Sequence, residues 1–274
     1  HLMFFNWICP PLMVFMFQAV KRPLSRSAGR SLSLCIYSMI GLGFLSYPFF
    51  LLYGYRPVAV GSAEIPLAAV ISGLIMLTWY WFALLYFRQR KGAVKNLATL
   101  LFDISLVALI ISSMGAWAVS AAQFASGAGA LLTSAFTGFF LSVFTEGWVI
   151  LGVMGVLITL YDHKLPDQAL SSGWYYVPVL FGSMLLFPFS LSRSMLTDGM
   201  LVWAWIGLVL AVAGLLIYLH LVSGALAQSG FTGKAILVFI SLKVLFMLAA
   251  VIPEGPWPGE HGVRILYLHT VLLG

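Results

Sequence analysis

Charged residues are scarce in this sequence. Asp, Glu, Lys and Arg make up only 8% of its 274 residues, whereas 62% are hydrophobic and the mean hydropathy is +1.03. A soluble globular domain carries about 25% charged residues, so a protein that stays dissolved in water is excluded. The short alternating segments typical of outer-membrane barrels are absent as well. The sequence therefore predicts an all-α, polytopic transmembrane helical bundle.

The motifs of soluble enzymes are also missing. The chain contains no glycine-rich nucleotide loop, no GxSxG or HExxH motif and no CxxC pair. Its two cysteines, Cys9 and Cys35, fall at different depths of the predicted bilayer, so we expect neither a disulfide between them nor a metal site. The net charge of +6 is concentrated in a few loops. It therefore reflects orientation in a membrane, and no nucleic-acid partner is expected.

Long apolar runs occupy most of the chain and predict eight full spans and part of a ninth. Their cores are 2–20, 32–54, 65–87, 98–122, 132–161, 174–192, 199–222 and 235–252, with a further start at 264. The run 174–192 is short and contains Pro178 and Pro188, so we expect it to be broken or partly re-entrant. The whole chain, 1–274, is predicted to form one domain. Because it begins and ends inside apolar runs, we expect a fragment of a longer membrane protein.

Basic residues predict the orientation of these spans. The loops after spans one, three, five and seven carry most of the cations: Lys21, Arg22, Arg26, Arg30, Arg88, Arg90, Lys91, Lys95, Lys164 and Lys234. The alternate loops hold only Arg56, Arg193 and Arg264, together with several acids. Lys and Arg are enriched in cytoplasmic loops, so the N-terminus is predicted to lie outside.

The fifth apolar run, Leu131 to Tyr161, carries Glu146 close to its middle. A charge at the bilayer centre costs about 2.5–3.5 kcal/mol on insertion scales. We therefore expect Glu146 to face the protein interior and to have a partner or a proton. Gly147 and Gly155 in the same run are expected to let neighbouring helices approach closely.

The predicted topology divides the intramembrane polar residues into two layers. The inner layer contains Asp103, His220 and Lys243, and the outer layer contains His1, His269 and, deeper, Glu146. An ion pair between Asp103 and Lys243 is geometrically feasible. It would either let two helices carry charge into lipid at a lower cost or form a proton relay, and the structural interpretation is the commoner one.

Two histidines share a local pattern. Tyr218–Val222 and Tyr267–Val271 both read YLH-x-V, with His220 and His269 at the third position. A neutral imidazole in apolar surroundings needs a hydrogen-bond partner or a metal, and its nitrogens suit haem iron or copper. A hydrogen bond between helices is the alternative. The two residues lie at different predicted depths, so a shared metal is not expected.

Three segments together resemble a known family. They are HLMFFNW at 1–7, TEGW at 145–148 and YLHTVLLG at 267–274. They are similar to the His-x-His and Gly-Trp helices of divergent bacterial relatives of haem-copper oxidase subunit I, including the NnrS-like membrane proteins. The resemblance implies a bundle that holds haem through inward-facing histidines. It also implies a bacterial inner-membrane location and a link to the respiratory chain. The ligands it implies are His1 and His269, with His220 as a further candidate.

No intact His-x-His pair or adjacent His-His pair is present, so a copper site is not predicted. Three functional classes stay open from the residues alone. The first is a haem-binding redox or respiratory-associated subunit, and the second is a transporter that uses Glu146, Asp103 and Lys243. The third is a cofactor-free scaffold subunit of a membrane complex. The lipid bilayer is a partner in all three, and enzymatic activity is left open.

Overall fold

The computed structural model describes residues 3–20, 26–54, 56–61, 63–93, 95–124, 129–165, 173–249, 262–263 and 266. His1, His269 and the predicted ninth span (apart from Leu266) lie outside these residues. Contacts between residues divide the chain into two compact units, an N-terminal unit (1–95) and a C-terminal unit (96–274).

The N-terminal unit begins with a π-helical turn, Met3–Ile8, that continues into α1, Cys9–Ala19. Two longer helices follow, α2 (Arg26–Tyr53) and α3 (Leu67–Arg90). These two helices pack against each other, and the buried Cys35 thiol donates to the Thr78 carbonyl oxygen at 3.3 Å.

A small hairpin that was not predicted from the sequence joins α2 to α3. Its strands, β1 (Val58–Val60) and β2 (Ala63–Ile65), pair antiparallel with Val58 opposite Ile65. Gly61 begins the turn with φ of 64°. Two-residue hairpin turns require a positive φ at this position, which glycine adopts without steric cost. The hairpin turns the chain back, so α2 and α3 run antiparallel.

The C-terminal unit begins with α4, Leu97–Phe124. Next comes a continuous helix built from α5 (Ala130–Ser142), a central π segment (Val143–Val149) and α6 (Ile150–Tyr161). After a short helix, α7 (Tyr176–Leu185), the unit continues with α8 (Asp198–Ala227) and α9 (Gly230–Ala249).

Within the described part of the chain, six helices are long and apolar enough to cross a bilayer. They are Arg26–Tyr53, Leu67–Arg90, Leu97–Ala122, Ala130–Lys164, Asp198–Ala227 and Gly230–Ala249. Each coincides with a predicted apolar span, because about 20 apolar residues in a helix match the thickness of the hydrocarbon core. The prediction of a helical, multi-pass membrane protein is confirmed.

The segment around 174–192 is broken, as its prolines predict. Helix α7 ends at Leu185, and a 3₁₀ turn, Phe187–Ser190, comes next with Pro188 in its first turn. Proline has no N–H to donate and clashes with the preceding turn, so it stops an α-helix. Helix α7 is therefore short and ends inside its apolar run.

Helices α7 and α8 pack with their backbones close together because glycines lie at the contact. A Cβ atom added to Gly207 of α8 would stand 2.7 Å from the Leu185 Cβ. One added to Gly182 of α7 would stand 2.7 Å from the Ala211 nitrogen. Small residues permit this close approach in lipid, where packing replaces the hydrophobic effect as the main attraction between helices. This packing places α7 next to the central π segment, Val143–Val149.

Candidate functional site

The central π segment, Val143–Val149, lies close to the middle of the 35-residue helix Ala130–Lys164. All seven of its residues are buried. A π turn holds one more residue than an α turn, and such turns are frequent at functional sites. The extra residue changes the direction in which the side chains on either side of it point. This part of the helix carries Glu146.

Glu146 and Lys243 form a buried ion pair in the C-terminal unit. The Lys243 ammonium on α9 donates to Glu146 Oε2 at 2.6 Å, and each residue is only 4% exposed. The distance is that of a short charge-assisted hydrogen bond. The pair therefore joins the central π segment to α9 deep inside the protein.

Packing around the pair is tight on the side of α4 and α7. A Cβ atom added to Gly147 would stand 2.9 Å from the Ala108 Cβ and 3.1 Å from the Ser183 hydroxyl oxygen. The Ser142 hydroxyl donates to the Ser183 carbonyl oxygen at 2.7 Å and so ties α5 to α7. These contacts leave little room for the π segment to shift, so the backbone that carries Glu146 is held in place.

Three buried polar atoms in the same unit have no hydrogen-bond partner among the described residues. They are the Trp148 indole nitrogen, two residues beyond Glu146, the Ser105 hydroxyl on α4 and the Tyr175 hydroxyl. A buried donor without a partner costs about 1–3 kcal/mol. Such atoms are commonly satisfied by buried water, which also transmits protons between polar groups.

The electrostatics of the pair follow from its burial. Removing one ion from water costs several kcal/mol even after relaxation, and only the mutual attraction of the two ions offsets this cost. Glu146 and Lys243 together are neutral, so the pair is tolerated in an apolar interior. A proton added to Glu146 would remove the carboxylate charge that faces Lys243. The pair can take up a proton only if the charge of Lys243 is neutralised or moved into water at the same time.

The expectation that Glu146 faces the interior and has a partner is confirmed. The assignment of Glu146 and Lys243 to different layers is wrong, because the two side chains are in direct contact. Counting residues from the helix ends neglects helix tilt and the long, flexible stem of lysine, which carries its charge several ångströms along a helix. Asp103 is half-buried on α4, and its pairing with Lys243 stays a prediction.

Of the three predicted histidine ligands, the structure describes His220 alone. His220 lies on an exposed face of α8, whereas Tyr218, two residues earlier, is buried and donates to the Met154 carbonyl oxygen at 3.1 Å. His1 and His269 fall outside the described residues, so haem ligation by them stays a prediction. Among the residues that the structure describes, no group of three or more His, Cys, Asp or Glu could hold a metal ion.

The central π segment and the partner of Glu146 were not found from the sequence. One signal was available for the pair, because Glu146 and Lys243 are opposite charges that both interrupt long apolar runs. No motif or residue spacing in Val143–Val149 indicates the π geometry itself. Comparison with protein-family models, with curated proteins and with solved structures finds no match for this chain.

Proposed function

We propose that this protein is a multi-pass membrane protein that moves protons across the membrane, with Glu146 as the group that gains and loses the proton. One observation carries the proposal: the contact of 2.6 Å between Glu146 and Lys243, both buried inside apolar helices. Ionisable residues at such positions are rare, and they mark ion and proton pathways in membrane proteins.

Charge balance favours proton movement that is coupled to a conformational change over a passive proton leak. When Glu146 takes up a proton, its carboxylate becomes a neutral acid and the attraction that held Lys243 is lost. The lysine must then reach water, release its own proton or meet an anion, because an isolated ammonium is costly in an apolar interior. Reaching water or another anion would require Lys243, on α9, to move away from the central π segment. Protonation would thus shift the balance between two conformations.

The proposal is tested with purified protein in liposomes that contain a pH indicator. A potassium diffusion potential, negative inside, drives protons inwards, and we expect wild-type vesicles to acidify faster than empty ones. E146Q should abolish the difference, because glutamine cannot exchange a proton. D162N is the matched control, since Asp162 lies near the end of the same long helix with its side chain 57% exposed. Wild-type flux equal to that of empty vesicles, or an E146Q rate equal to wild type, would refute the proposal.

We further propose a bacterial inner-membrane location with the N-terminus outside. Support comes from the uneven loops, since Arg88, Lys91 and Lys95 surround one helix end while the alternate loop at 186–198 contains Arg193 as its single Lys or Arg. A fluorescent-protein fusion after Lys95 should fluoresce, and an alkaline phosphatase fusion after Arg193 should be active. The reverse pattern would overturn the orientation.

The haem-binding redox function is a second candidate, and the three segments that resemble the haem-copper oxidase relatives favour it. In this case Glu146 would serve as a proton-carrying carboxylate beside a redox centre. The absorption spectrum of the purified, reduced protein should then show Soret and alpha bands that H269A removes. A protein with neither haem bands nor proton flux would be the cofactor-free scaffold subunit.

A further inference from the structure

We propose that the N-terminal unit binds the headgroups of anionic phospholipids at one end of the α2–α3 pair. This basic end consists of Arg26, Arg30, Arg88, Arg90, Lys91 and Lys95. Clusters of four to eight Lys or Arg residues next to a spanning helix attract anionic lipids. The inference is independent of proton movement and depends only on the unit being embedded in a membrane.

The structure brings the two groups of cations together. Cys35 of α2 contacts Thr78 of α3, and the helices run in opposite directions from that contact. Arg26 lies nine residues before Cys35, and Arg88 lies ten residues after Thr78. At about 1.5 Å per residue, Arg26 and Arg88 stand about 13 and 15 Å from the contact on the same side. Arg26 and Arg88, which are distant in sequence, therefore lie at similar distances along the helix axes, at the same end of the unit.

The turn after α3 holds the basic end in shape. Arg90 is 8% exposed, and its guanidinium donates to the Ala93 carbonyl oxygen at 3.2 Å. The Ala93 N–H donates in turn to the Arg90 carbonyl oxygen at 3.0 Å, and Gly92 between them has φ of 77°. Arg88 and Lys91 are exposed beside this turn. Their charges are thus presented from an ordered backbone.

The charge excess of this unit cannot be neutralised from within it. Residues 1–95 contain nine Lys and Arg but a single acid, Glu64. Glu64 belongs to β2 in the hairpin that joins α2 to α3, at the opposite end of the helix pair. The unit therefore carries a net positive charge, and six of its nine Lys and Arg residues lie at the basic end.

Apolar surface next to the cations identifies the anion as a lipid. Leu34 and Tyr37 of α2 are 58% and 71% exposed, and Leu84 of α3 is 65% exposed. These residues lie within a few turns of the basic end along the helices. A phospholipid places a phosphate among the cations and acyl chains on this apolar surface. Inorganic phosphate or a nucleic acid would satisfy the charges and leave the apolar surface uncovered.

The test titrates the whole protein in a zwitterionic detergent with phosphatidylglycerol, with phosphatidylcholine and with inorganic phosphate, and counts bound lipid by native mass spectrometry. Phosphatidylglycerol should bind far more tightly than the other two, and added salt should weaken its binding. Each exposed cation near a membrane surface contributes roughly fivefold to affinity, so R88Q/K91Q should bind about 25-fold more weakly.

R193Q/K234Q is the matched control, because it removes two exposed cations from the C-terminal unit. We expect this control to bind phosphatidylglycerol as the wild type does. Equal binding of phosphatidylcholine, equal binding of inorganic phosphate, or equal losses in the two double variants would each overturn the proposal. If R88Q/K91Q does not fold, the lipid selectivity and salt dependence of the wild type still test the proposal.

Discussion

The buried pair between Glu146 and Lys243 leads to a sharp prediction about stability. Either E146Q or K243M alone should lower the free energy of unfolding by about 3–5 kcal/mol, because each leaves the other charge buried without its partner. The double variant E146Q/K243M removes both charges. We expect it to lie close to the wild type, since a neutral pair of similar volume avoids the desolvation cost.

The magnitude follows from the position of the pair. Both residues are 4% exposed, so water cannot replace the missing partner in either single variant. If the two substitutions were independent, their effects would add to about 6–10 kcal/mol. The expected coupling energy is therefore several kcal/mol, well above the values of up to about 1 kcal/mol that are typical of exposed ion pairs.

The measurement is a double-mutant cycle, with unfolding followed in mixed micelles of increasing denaturing detergent. D162N serves as the control for the loss of an exposed carboxylate and should change stability by less than about 0.5 kcal/mol. Additive effects of E146Q and K243M would refute the reasoning, because they would mean that the two charges do not depend on each other. A stable E146Q variant with an unstable K243M variant would likewise show that Lys243 has another principal partner.

Two further predictions concern the packing that supports the site. Gly207→Leu should destabilise the protein by about 1–3 kcal/mol through overpacking against Leu185. Gly224→Ala on the same helix should be neutral or stabilising, since an added Cβ there meets nothing within 4 Å. Thermal unfolding in detergent compares the two variants, and equal effects would contradict the close approach of α7 and α8. Tyr218→Phe should cost about 0.5–1.5 kcal/mol because the bond to the Met154 carbonyl oxygen is lost, and an unchanged unfolding midpoint would show that this bond contributes nothing.

Local sequence was sufficient to locate the helices. The apolar run predicted over 199–222 is helical over Asp198–Ala227, and the one predicted over 98–122 is helical over Leu97–Phe124. In lipid every backbone polar group must be satisfied within the segment, so a long apolar run has few alternatives to a helix. The break near Pro188 was predictable for an equally local reason.

Features that depend on contacts between distant segments were missed or misplaced. Two local features, the hairpin of β1 with β2 and the π geometry of Val143–Val149, were missed as well. The ion pair joins residues that are 97 positions apart in the chain. Counting residues along each helix placed Glu146 and Lys243 at different depths, because such counting takes no account of helix tilt or of the length of a side chain.

The sequence by itself determined that this is a helical membrane protein, where its long helices lie and that Glu146 must turn inwards. These conclusions follow from the cost of placing charge and unsatisfied backbone groups in hydrocarbon, which every residue meets locally. Only the tertiary structure decided that Lys243 neutralises Glu146 and that the cations of α2 and α3 share one end of their unit. Both features depend on which helix faces are in contact, and packing across the whole fold determines those contacts.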